Sequence, residues 1–358
     1  MTNVPSPYRV DFFNELGKKC DLTVVFEKIK SDERGTAWDN YQFKNFDGIF
    51  LHGKSINTDT AVCPEIIKYI RKGLFDHIIC ANFLSPTGMI AIEYMRLHKI
   101  PYFLESDGGF AKNGRGIKEK LKRHFISGAK GYFSTAAEHD QYYLQYGAKK
   151  ELLYRYPFTS LFEKDILPNP VTDDEKIKLR IKLGLEEEKI VISVGQFIYR
   201  KGFDVLIRSA GRLNKNIGIY IIGGEPNDYY LNLKNEYKAE NLHFIGFKSK
   251  YELAEYYKAA DLFVFPTRED IWGLVVNEAM AYGLPVITTN RCISGLELVD
   301  SRNGFIINVN SEEELICSIN KILFDKKENI KKMEERSLEK IRWYTLENMV
   351  KIHLKFLK

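Results

Sequence analysis

The sequence predicts an α/β protein built from two Rossmann-like, doubly wound domains. Short apolar runs alternate with longer helical patterns along almost the whole chain. Parallel strands need a long crossover connection, so this alternation predicts parallel sheets that are covered by helices on both faces. The length of 358 residues also exceeds the roughly 250–300 residues at which a single core stops growing, which favours two domains.

The first domain is assigned to residues 1–157. Its strands include the run 77–81, which is apolar without alternation, as expected for a strand that is buried on both faces. The predicted strands are 22–26, 48–51, 77–81, 102–104, 132–135 and 152–154, and the predicted helices include 8–17, 64–71, 88–98 and 116–126.

A proline-rich and charged stretch, 157–178, predicts the junction, and the second domain is assigned to residues 158–339. A C-terminal helix at about 340–358 is expected to pack back on the first domain. The predicted strands are 190–194, 217–222, 243–247, 262–265, 286–288 and 305–307. The predicted helices are 203–213, 229–239, 251–259, 274–282 and 312–323.

The start of the chain departs from this pattern. A Rossmann-like domain opens with a strand, whereas residues 2–7 lead directly into a helix. We therefore expect the first strand of the N-terminal domain to be missing, through a truncated or misassigned start. No GxGxxG follows any strand, which disfavours a dinucleotide dehydrogenase.

Composition excludes several classes of protein. The chain has no apolar run of about 18 residues and no secretory pattern, and its five cysteines stand singly, which favours a reducing cytoplasm. Residues 1–160 hold 23 basic and 18 acidic residues, whereas the rest of the chain is balanced at 30 of each. The excess in the first half predicts an anionic partner there rather than nucleic-acid binding.

The most informative motif covers residues 265–287. A strand ends, an acidic loop follows, and a helix begins after Gly273, so free N–H groups and a positive dipole end lie at the sheet edge. Asp270 in the loop and Glu278 in the helix add carboxylates, which suit sugar hydroxyls better than phosphate. A ligand with phosphate on one side and a polyol on the other, such as a nucleotide sugar, fits both features.

This stretch closely resembles the signature of family-4 retaining glycosyltransferases, which implies the GT-B fold, with two domains facing a cleft. The resemblance places the two signature acids at Asp270 and Glu278, although the family more often has Glu in the first place and Glu269 competes for that role. It implies that Asp270 orients the donor sugar and that Glu278 binds the ribose hydroxyls. The surrounding donor contacts are Ile271, Trp272, Gly273, Leu274 and Val275.

A second motif, residues 194–204, follows a strand and opens a helix. Lys201 at that edge could neutralise a diphosphate. The segment resembles the family's Gly-Arg and Lys-Gly pattern, but Gln196 stands in place of the arginine, and Arg200 is predicted to supply the missing charge. A solvated basic turn is the alternative.

Two weaker signals lie between these motifs. Gly223 and Gly224 end a strand before Glu225 and let a ligand approach the backbone. The segment with Phe247 and Lys248 resembles the one in the family whose backbone reads the nucleotide base. A plain turn explains either equally well.

The acceptor side is assigned to the first domain. The segment with Tyr8 and Arg9 resembles the acceptor-side loop and first helix of polysaccharide-assembly members of the family. Asp107, before Gly108 and Gly109 at a strand end, is expected to contact the acceptor or the donor sugar, or else to cap a helix or turn. Family members often carry a histidine near this place, and this chain does not.

Metal binding is not expected. The seven histidines show no HxxxH or HxH spacing, and no Asp-x-Asp ends a strand. We therefore predict a metal-independent enzyme without a cofactor.

Ile117, Leu121 and Phe125 form an apolar stripe beside lysines. This stripe indicates either a helix packed on its own sheet or, across residues 112–130, a surface for anionic lipid or a lipid diphosphate.

Together these features predict transfer of a sugar from a nucleoside diphosphate sugar to a glycan or lipid-linked acceptor with retention. The expected setting is cell-surface polysaccharide synthesis, in the cytoplasm or peripherally on the inner face of the membrane. The alternatives are a GT-B nucleotide-sugar epimerase, for which no convincing acid–base set is found, and a catalytically impaired nucleotide-sugar-binding protein.

Overall fold

The computed structural model describes residues 1–29, 42–112, 114 and 116–357. Asn113 and Arg115 of the predicted basic segment lie outside the described residues. The chain forms two compact units, Met1–Ser160 together with Thr345–Lys358 as unit 1, and Leu161–Tyr344 as unit 2.

Unit 1 is an α/β layer structure with a mostly parallel sheet. Its strands are β1 (Thr23–Phe26), β2 (Asp47–Phe50), β3 (Lys54–Ser55), β4 (Ala61–Val62), β5 (Ile79–Cys80), β6 (Phe103–Glu105), β7 (Gly131–Ser134) and β8 (Leu153–Arg155). Its helices are α1 (Pro7–Gly17), α2 (Pro86–Leu97), α3 (Ile117–Ile126), α4 (Ala137–Gln145) and α13 (Leu346–Phe356), with a short 3-10 helix at Pro64–Tyr69. The parallel ladder runs β5-β6-β7-β8, and β1 and β2 form a parallel pair.

The expectation of a missing first strand is corrected in part. Thr2 pairs with Phe26 in a parallel bridge, and the Met1 nitrogen donates to the Ile79 carbonyl oxygen at 2.7 Å. The Ala81 N–H in turn donates to the Met1 carbonyl oxygen at 2.9 Å. Residues 1–3 therefore lie between β1 and β5 and hydrogen-bond to both, but they are too few to count as a regular strand.

The C-terminal helix α13 belongs to unit 1 and packs on α1. Thr345 caps it by accepting the Asn348 N–H, and His353 on its inner face is fully buried. The His353 ring stacks on Phe133, with centroids 4.3 Å apart, and contacts Phe12 at 4.9 Å. The apolar face of α13 thus closes one side of the layer that contains α1.

Unit 2 is a doubly wound α/β fold. Its strands are β9 (Lys189–Val194), β10 (Ile217–Ile222), β11 (Leu242–Ile245), β12 (Leu262–Phe265), β13 (Val286–Thr289) and β14 (Gly304–Ile307). Its helices are α5 (Asp173–Leu183), α6 (Phe203–Ala210), α7 (Asp228–Glu236), α8 (Lys250–Ala259), α9 (Leu274–Ala281), α10 (Ile293–Leu298), α11 (Glu312–Leu323) and α12 (Lys327–Ile341).

The six strands of unit 2 are all parallel and follow the order β11-β10-β9-β12-β13-β14. The strand order reverses between β9 and β12, and ligands of such sheets bind outside the carboxyl ends of the strands at that reversal. The two motifs singled out from the sequence directly follow these two strands. The fold therefore brings them to one place.

Candidate functional site

The carboxyl ends of β9 and β10 approach each other closely in unit 2. A Cβ added at Gly223 would lie 2.4 Å from the carbonyl oxygen of Gly195, and the Gly195 N–H donates to Ile222 at 2.9 Å. Only glycine leaves room for this approach, and φ of Gly223 is +141°, which also disfavours a side chain. Gly223 therefore allows the close packing of β10 on β9, whereas a Cβ added at Gly224 would meet nothing within 4 Å. Approach of a ligand to this backbone stays a prediction.

A basic turn follows β9. Lys201 ends a short 3-10 helix, Tyr199–Lys201, and donates from Nζ to Asp270 Oδ2 at 2.7 Å. Arg200 Nη1 reaches the same oxygen at 3.1 Å. Lys201 is 14% exposed and Arg200 is 48% exposed, so the lysine is the enclosed cation and the arginine the solvated one. Two cations and one carboxylate thus meet at the reversal point.

Gly202 fixes how the basic turn sits on the neighbouring strand end. Its φ is +70°, and an added Cβ would lie 2.1 Å from the carbonyl oxygen of Pro266. The carbonyl oxygen of Arg200 accepts from the Arg268 N–H at 2.8 Å and from the Thr267 hydroxyl at 2.9 Å. Backbone contacts therefore hold the turn against the loop that follows β12.

A buried ion pair, which the sequence analysis missed, reinforces this junction. Arg268 donates through both terminal nitrogens to the two oxygens of Asp204, each at 2.7 Å, and its guanidinium lies 4.0 Å from the Tyr199 ring centroid. Burial acts to raise the pKa of Asp204, but the bonds from Arg268 and Arg208 outweigh it and hold that pKa below its usual value. No local pattern in the sequence marks this pair, because its members are 64 residues apart.

The Asp270 loop is held by the neighbouring strand end. The Asp270 N–H donates to Arg291 at 2.8 Å, and Asp270 forms an isolated parallel bridge with Cys292. The Trp272 N–H approaches Asp270 Oδ1 at 3.4 Å, so both oxygens of that carboxylate have partners. Arg291 is paired with Glu269, the alternative first acid of the motif. Asp270 thus contacts Lys201, and Glu269 pairs with Arg291.

The start of α9 is fixed by a glycine and a serine. Gly273 has φ of +97°, and its carbonyl oxygen accepts from Ser294 Oγ at 3.0 Å. Trp272 is buried and donates from its indole nitrogen to Asn277 at 2.9 Å. The first N–H groups of an α-helix have no acceptor within the helix, so Leu274 and Val275 present donors at the positive dipole end.

Glu278 lies in α9, one turn beyond this start. It is half-buried, and its Oε2 accepts from the Tyr257 hydroxyl at 3.1 Å. Burial and the neighbouring Glu278 carboxylate both raise the pKa of Tyr257, so the phenol stays a hydrogen-bond donor. The carboxylate is therefore oriented by a tyrosine that sequence reasoning did not identify.

The remaining predicted donor residues lie at neighbouring strand ends and are mostly solvent-accessible. Glu225 follows β10, and its Oε1 lies 3.3 Å from the position of a Cβ added at Gly246, after β11. Lys248 is half-buried near Glu252, whereas Gln196, Phe247 and Ile271 are exposed. The structure thus brings Lys201, Arg200, Asp270, Trp272 and Gly273 into one network, and places the others around the same edge of the sheet.

In unit 1 the predicted acceptor-side residues meet at the end of β6. The Tyr8 hydroxyl donates to Asp107 Oδ2 at 2.7 Å, and Arg9 Nη2 donates to Asp107 Oδ1. Arg9 Nη1 also donates to Glu105 Oε1 at 3.0 Å. Burial acts to raise the pKa of Glu105, but Arg9 and His353 outweigh it and lower that pKa to about 2. Glu105 was not singled out from the sequence.

A buried histidine supports the segment that holds Asp107. The Thr135 N–H donates to His139 Nδ1 at 3.2 Å, so Nε2 carries the proton and donates to Ser106 Oγ at 2.9 Å. Burial lowers the pKa of His139 to about 3, which keeps the ring neutral. Gly109 is packed against Tyr142, whose ring lies 3.1 Å from an added Cβ, while Gly108 is half-buried.

The chemistry of the two clusters differs. The unit 2 cluster combines two cations, a helix N-terminus and oriented carboxylates, which can bind phosphate beside a polyol. In the unit 1 cluster, the carboxylate of Asp107 is held by Tyr8 and Arg9 and can accept a hydrogen bond from a hydroxyl. Among the described residues, no group of three or more His, Cys, Asp or Glu side chains could hold a metal ion. No described helix is long and apolar enough to cross a membrane.

The sequence of unit 2 is similar to a known family. The family model described as "Glycosyl transferases group 1" matches residues 175–340. An uncharacterized glycosyltransferase of Methanocaldococcus jannaschii is 30% identical over 159 residues, 42% of this chain and 40% of that protein. The alpha-galactosylglucosyldiacylglycerol synthase of Streptococcus pneumoniae is 33% identical over 125 residues, 33% of each chain. The chain thus spans less than half the length of these curated relatives.

Solved structures extend the likeness to the whole chain. Anabaena HepE, crystallised in complex with UDP, superimposes with a TM-score of 0.78 at 14% identity, covering 100% of this chain and 99% of that one. At an identity this low, the superposition shows a shared fold and nothing about function. The GT-B fold expected from the sequence is confirmed.

Proposed function

We propose that the chain transfers a sugar from a nucleoside diphosphate sugar to a hydroxyl of a glycan or glycolipid, because residues 175–340 match the model of the glycosyl transferases group 1 family. The observation that carries the proposal is the meeting of Lys201, Arg200 and Asp270 at the strand-order reversal of unit 2, beside the start of α9. Structural neighbours that contain UDP or UDP-glucose support a nucleotide-sugar donor.

The main chemical task of this reaction is to stabilise the negative charge that develops on the leaving diphosphate. Preorganised cations and N–H donors in an enclosed site do this without reorganisation. Lys201 is the enclosed cation, Arg200 is the solvated one, and the N–H groups at Gly273–Val275 lie at the dipole end. These groups replace the divalent cation that other phosphate-transfer sites use, and no cofactor is needed.

The carboxylates accept hydrogen bonds from the hydroxyl groups of the donor. Asp270 is held by Lys201 and by the Trp272 N–H, so it is oriented to accept from the donor sugar. Glu278, oriented by Tyr257, accepts from the ribose. By its resemblance to family-4 enzymes, the transfer retains the anomeric configuration.

The acceptor binds on unit 1, where Asp107 and Tyr8 form a polar pair at the end of β6. The S. pneumoniae relative is named as the synthase of a glycosylated diacylglycerol, which supports a lipid-linked acceptor. The proposed setting in cell-surface polysaccharide synthesis rests on the resemblance of the Tyr8–Arg9 segment to polysaccharide-assembly members of the family. Helix α3 supports a membrane-proximal acceptor, because Ile117 is 78% and Leu121 is 45% exposed beside Lys118 and Lys120.

The experiment is a thermal-shift screen of UDP-, GDP-, ADP- and CMP-sugars, followed by product analysis with and without acceptor in EDTA. We expect one nucleotide class to raise the melting temperature, and product to form only with acceptor. Epimerised donor without acceptor would identify an epimerase instead. Loss of transfer in EDTA that manganese or magnesium restores would refute metal independence.

The membrane surface is tested by sedimentation with phosphatidylserine and phosphatidylcholine vesicles. We expect weak binding to the anionic vesicles that falls with ionic strength, and none to the neutral ones. Replacing Lys118 and Lys120 by Gln should weaken binding about 30-fold, since each basic residue contributes about 1 kcal/mol. The matched control replaces the exposed Lys149 and Lys150, and should bind normally. Equal loss in both pairs would show a nonspecific charge effect.

A further inference from the structure

Arg9 links two carboxylates in unit 1 and is almost completely buried. Only 6% of the residue is exposed, compared with 3% of Glu105 and 23% of the Asp107 side chain. Its two terminal nitrogens are divided between the two acids, one for each. A ligand has little access to this guanidinium. Its contribution to binding therefore has to pass through the more exposed Asp107.

Glu105 is the deeper of the two acids and anchors Arg9. Its Oε1 accepts from Arg9 at 3.0 Å and lies 3.3 Å from the Tyr156 hydroxyl, while its Oε2 is 3.8 Å from His353 Nε2. His353 Nδ1 lies 2.8 Å from the Met349 carbonyl oxygen, which can only accept, so this nitrogen carries a proton. Helix α13 thus contributes to the surroundings of the anchor.

Both oxygens of Asp107 are held from the protein side. Arg9 donates to Oδ1, and the Tyr8 hydroxyl donates to Oδ2 at 2.7 Å. An ionised carboxylate has about four lone-pair sites, so these two bonds leave acceptor capacity on the exposed side. A carboxylate held on both oxygens has one orientation. That geometry suits recognition of a sugar hydroxyl better than a freely rotating side chain does.

We propose that Arg9 and Glu105 are positioning residues: their buried ion pair, together with Tyr8, fixes the Asp107 carboxylate in the orientation that receives an acceptor hydroxyl. This inference rests on the proposed function for the hydroxyl, but the fixing of Asp107 is a property of unit 1 alone. Arg9 acts through Asp107 and does not contact the acceptor.

The first test compares crystal structures of the full-length wild-type chain, Arg9→Lys and Tyr8→Phe. A lysine keeps the positive charge but cannot present two fixed, diverging donors. We expect the Asp107 carboxylate to move by more than about 0.5 Å, the tolerance of a preorganised site, or to occupy several conformers, while β6 stays in place. Tyr94→Phe removes a phenol from α2 and is the matched control. An Asp107 carboxylate that keeps its wild-type position in Arg9→Lys would overturn the proposal.

The second test is a double-mutant cycle between Arg9→Lys and Asp107→Asn, using UDP-glucose as donor and n-octyl β-D-glucopyranoside as acceptor. We expect each single variant to lower kcat/KM for the acceptor by about 10–100-fold, since misplacement by 1 Å can cost about 100-fold. The KM for UDP-glucose should not change. Because Arg9 acts through Asp107, the double variant should be no slower than Asp107→Asn.

The outcomes separate the two proposals. Losses that multiply in the double variant show an independent role for Arg9 and overturn the positioning proposal. A merely structural Arg9 would lower the melting temperature and the UDP-glucose affinity together, which also overturns it. A wild-type chain that makes no product from any donor and acceptor refutes the proposed function, and the crystal comparison still decides whether Arg9 and Tyr8 fix Asp107.

Discussion

Lys201→Ala removes the enclosed cation from the unit 2 site with little effect on the fold. The ammonium is 2.7 Å from Asp270 Oδ2 and 4.8 Å from the Phe265 ring centroid. Arg200 remains 3.1 Å from the same carboxylate oxygen, so Asp270 keeps a cationic partner. A partly exposed ion pair and a cation–π contact together contribute about 1–2 kcal/mol. We therefore expect the melting temperature to fall by only about 2–8 °C.

The effect on catalysis should be much larger than the effect on stability. Removing one preorganised donor from a developing negative charge costs about 100–1000-fold in kcat, or about 2.7–4 kcal/mol. The exposed Arg200 can replace part of the charge but not the enclosed position, because solvent screens it more strongly. We expect kcat to fall about 100-fold, with a smaller change in the KM of the acceptor.

The assay is steady-state transfer with the donor that the thermal-shift screen identifies, together with circular dichroism and a melting curve. Lys215→Ala is the matched control, since Lys215 pairs with Glu240 on the surface of the same unit, before β10. Lys201→Met tests whether volume rather than charge matters, and should be as slow as Lys201→Ala. Near-normal turnover in a well-folded Lys201→Ala protein would refute the diphosphate role.

Three further predictions concern the supporting residues. Glu278→Ala should raise the Kd for the nucleotide about tenfold, the value of one charge-assisted hydrogen bond, and calorimetry showing unchanged nucleotide affinity would contradict the ribose role. Arg268→Met breaks the buried pair with Asp204 and should cost about 2–4 kcal/mol of unfolding free energy, seen as a lower urea midpoint; an unchanged midpoint would show that Arg208 suffices. Glu105 has its pKa lowered to about 2 from 4.5, so its stabilisation is present above pH 4.5 and is lost as the pH falls towards 2. Glu105→Gln should therefore flatten the loss of stability between pH 4.5 and pH 2, and an equally steep loss in the variant would show that other groups cause it.

The sequence alone was sufficient to predict the class of fold and several residues that meet at the strand-order reversal of unit 2. Strand–helix alternation and uninterrupted apolar runs are local patterns, and they identified the strands of unit 2 to within a few residues. Gly202 and Gly273 lie within the two motifs and take left-handed backbone, a conformation that favours glycine, although Lys99, Lys238 and Asn310 adopt it as well. The resemblance then gave residue-level expectations at Lys201, Asp270 and Glu278.

Several elements escaped sequence reasoning. Residues 1–3 bridge β1 and β5, although three residues carry no recognisable strand pattern. Helices α4, α5, α10 and α12 were not predicted, and the predicted helix at 64–71 is a 3-10 helix. α5 begins inside the predicted junction because Thr172 caps it and three acids fill its first turn. Prolines and acidic residues occur both in domain junctions and at the starts of capped helices, so composition alone did not distinguish the two here.

Only the tertiary structure decided which side chains meet. Lys201 and Asp270 are 69 residues apart, and they contact each other because β9 and β12 are neighbours in a strand order that the sequence does not state. Arg9 was assigned to the acceptor side from the sequence, yet it is buried between Glu105 and Asp107, about 100 residues further along the chain. Local periodicity determines which face of an element is apolar, whereas the partner of a buried charge depends on which elements the fold packs together. The sequence could therefore name Arg200 and Arg9 as candidate charges, whereas only the three-dimensional arrangement showed that the first is exposed and the second is buried.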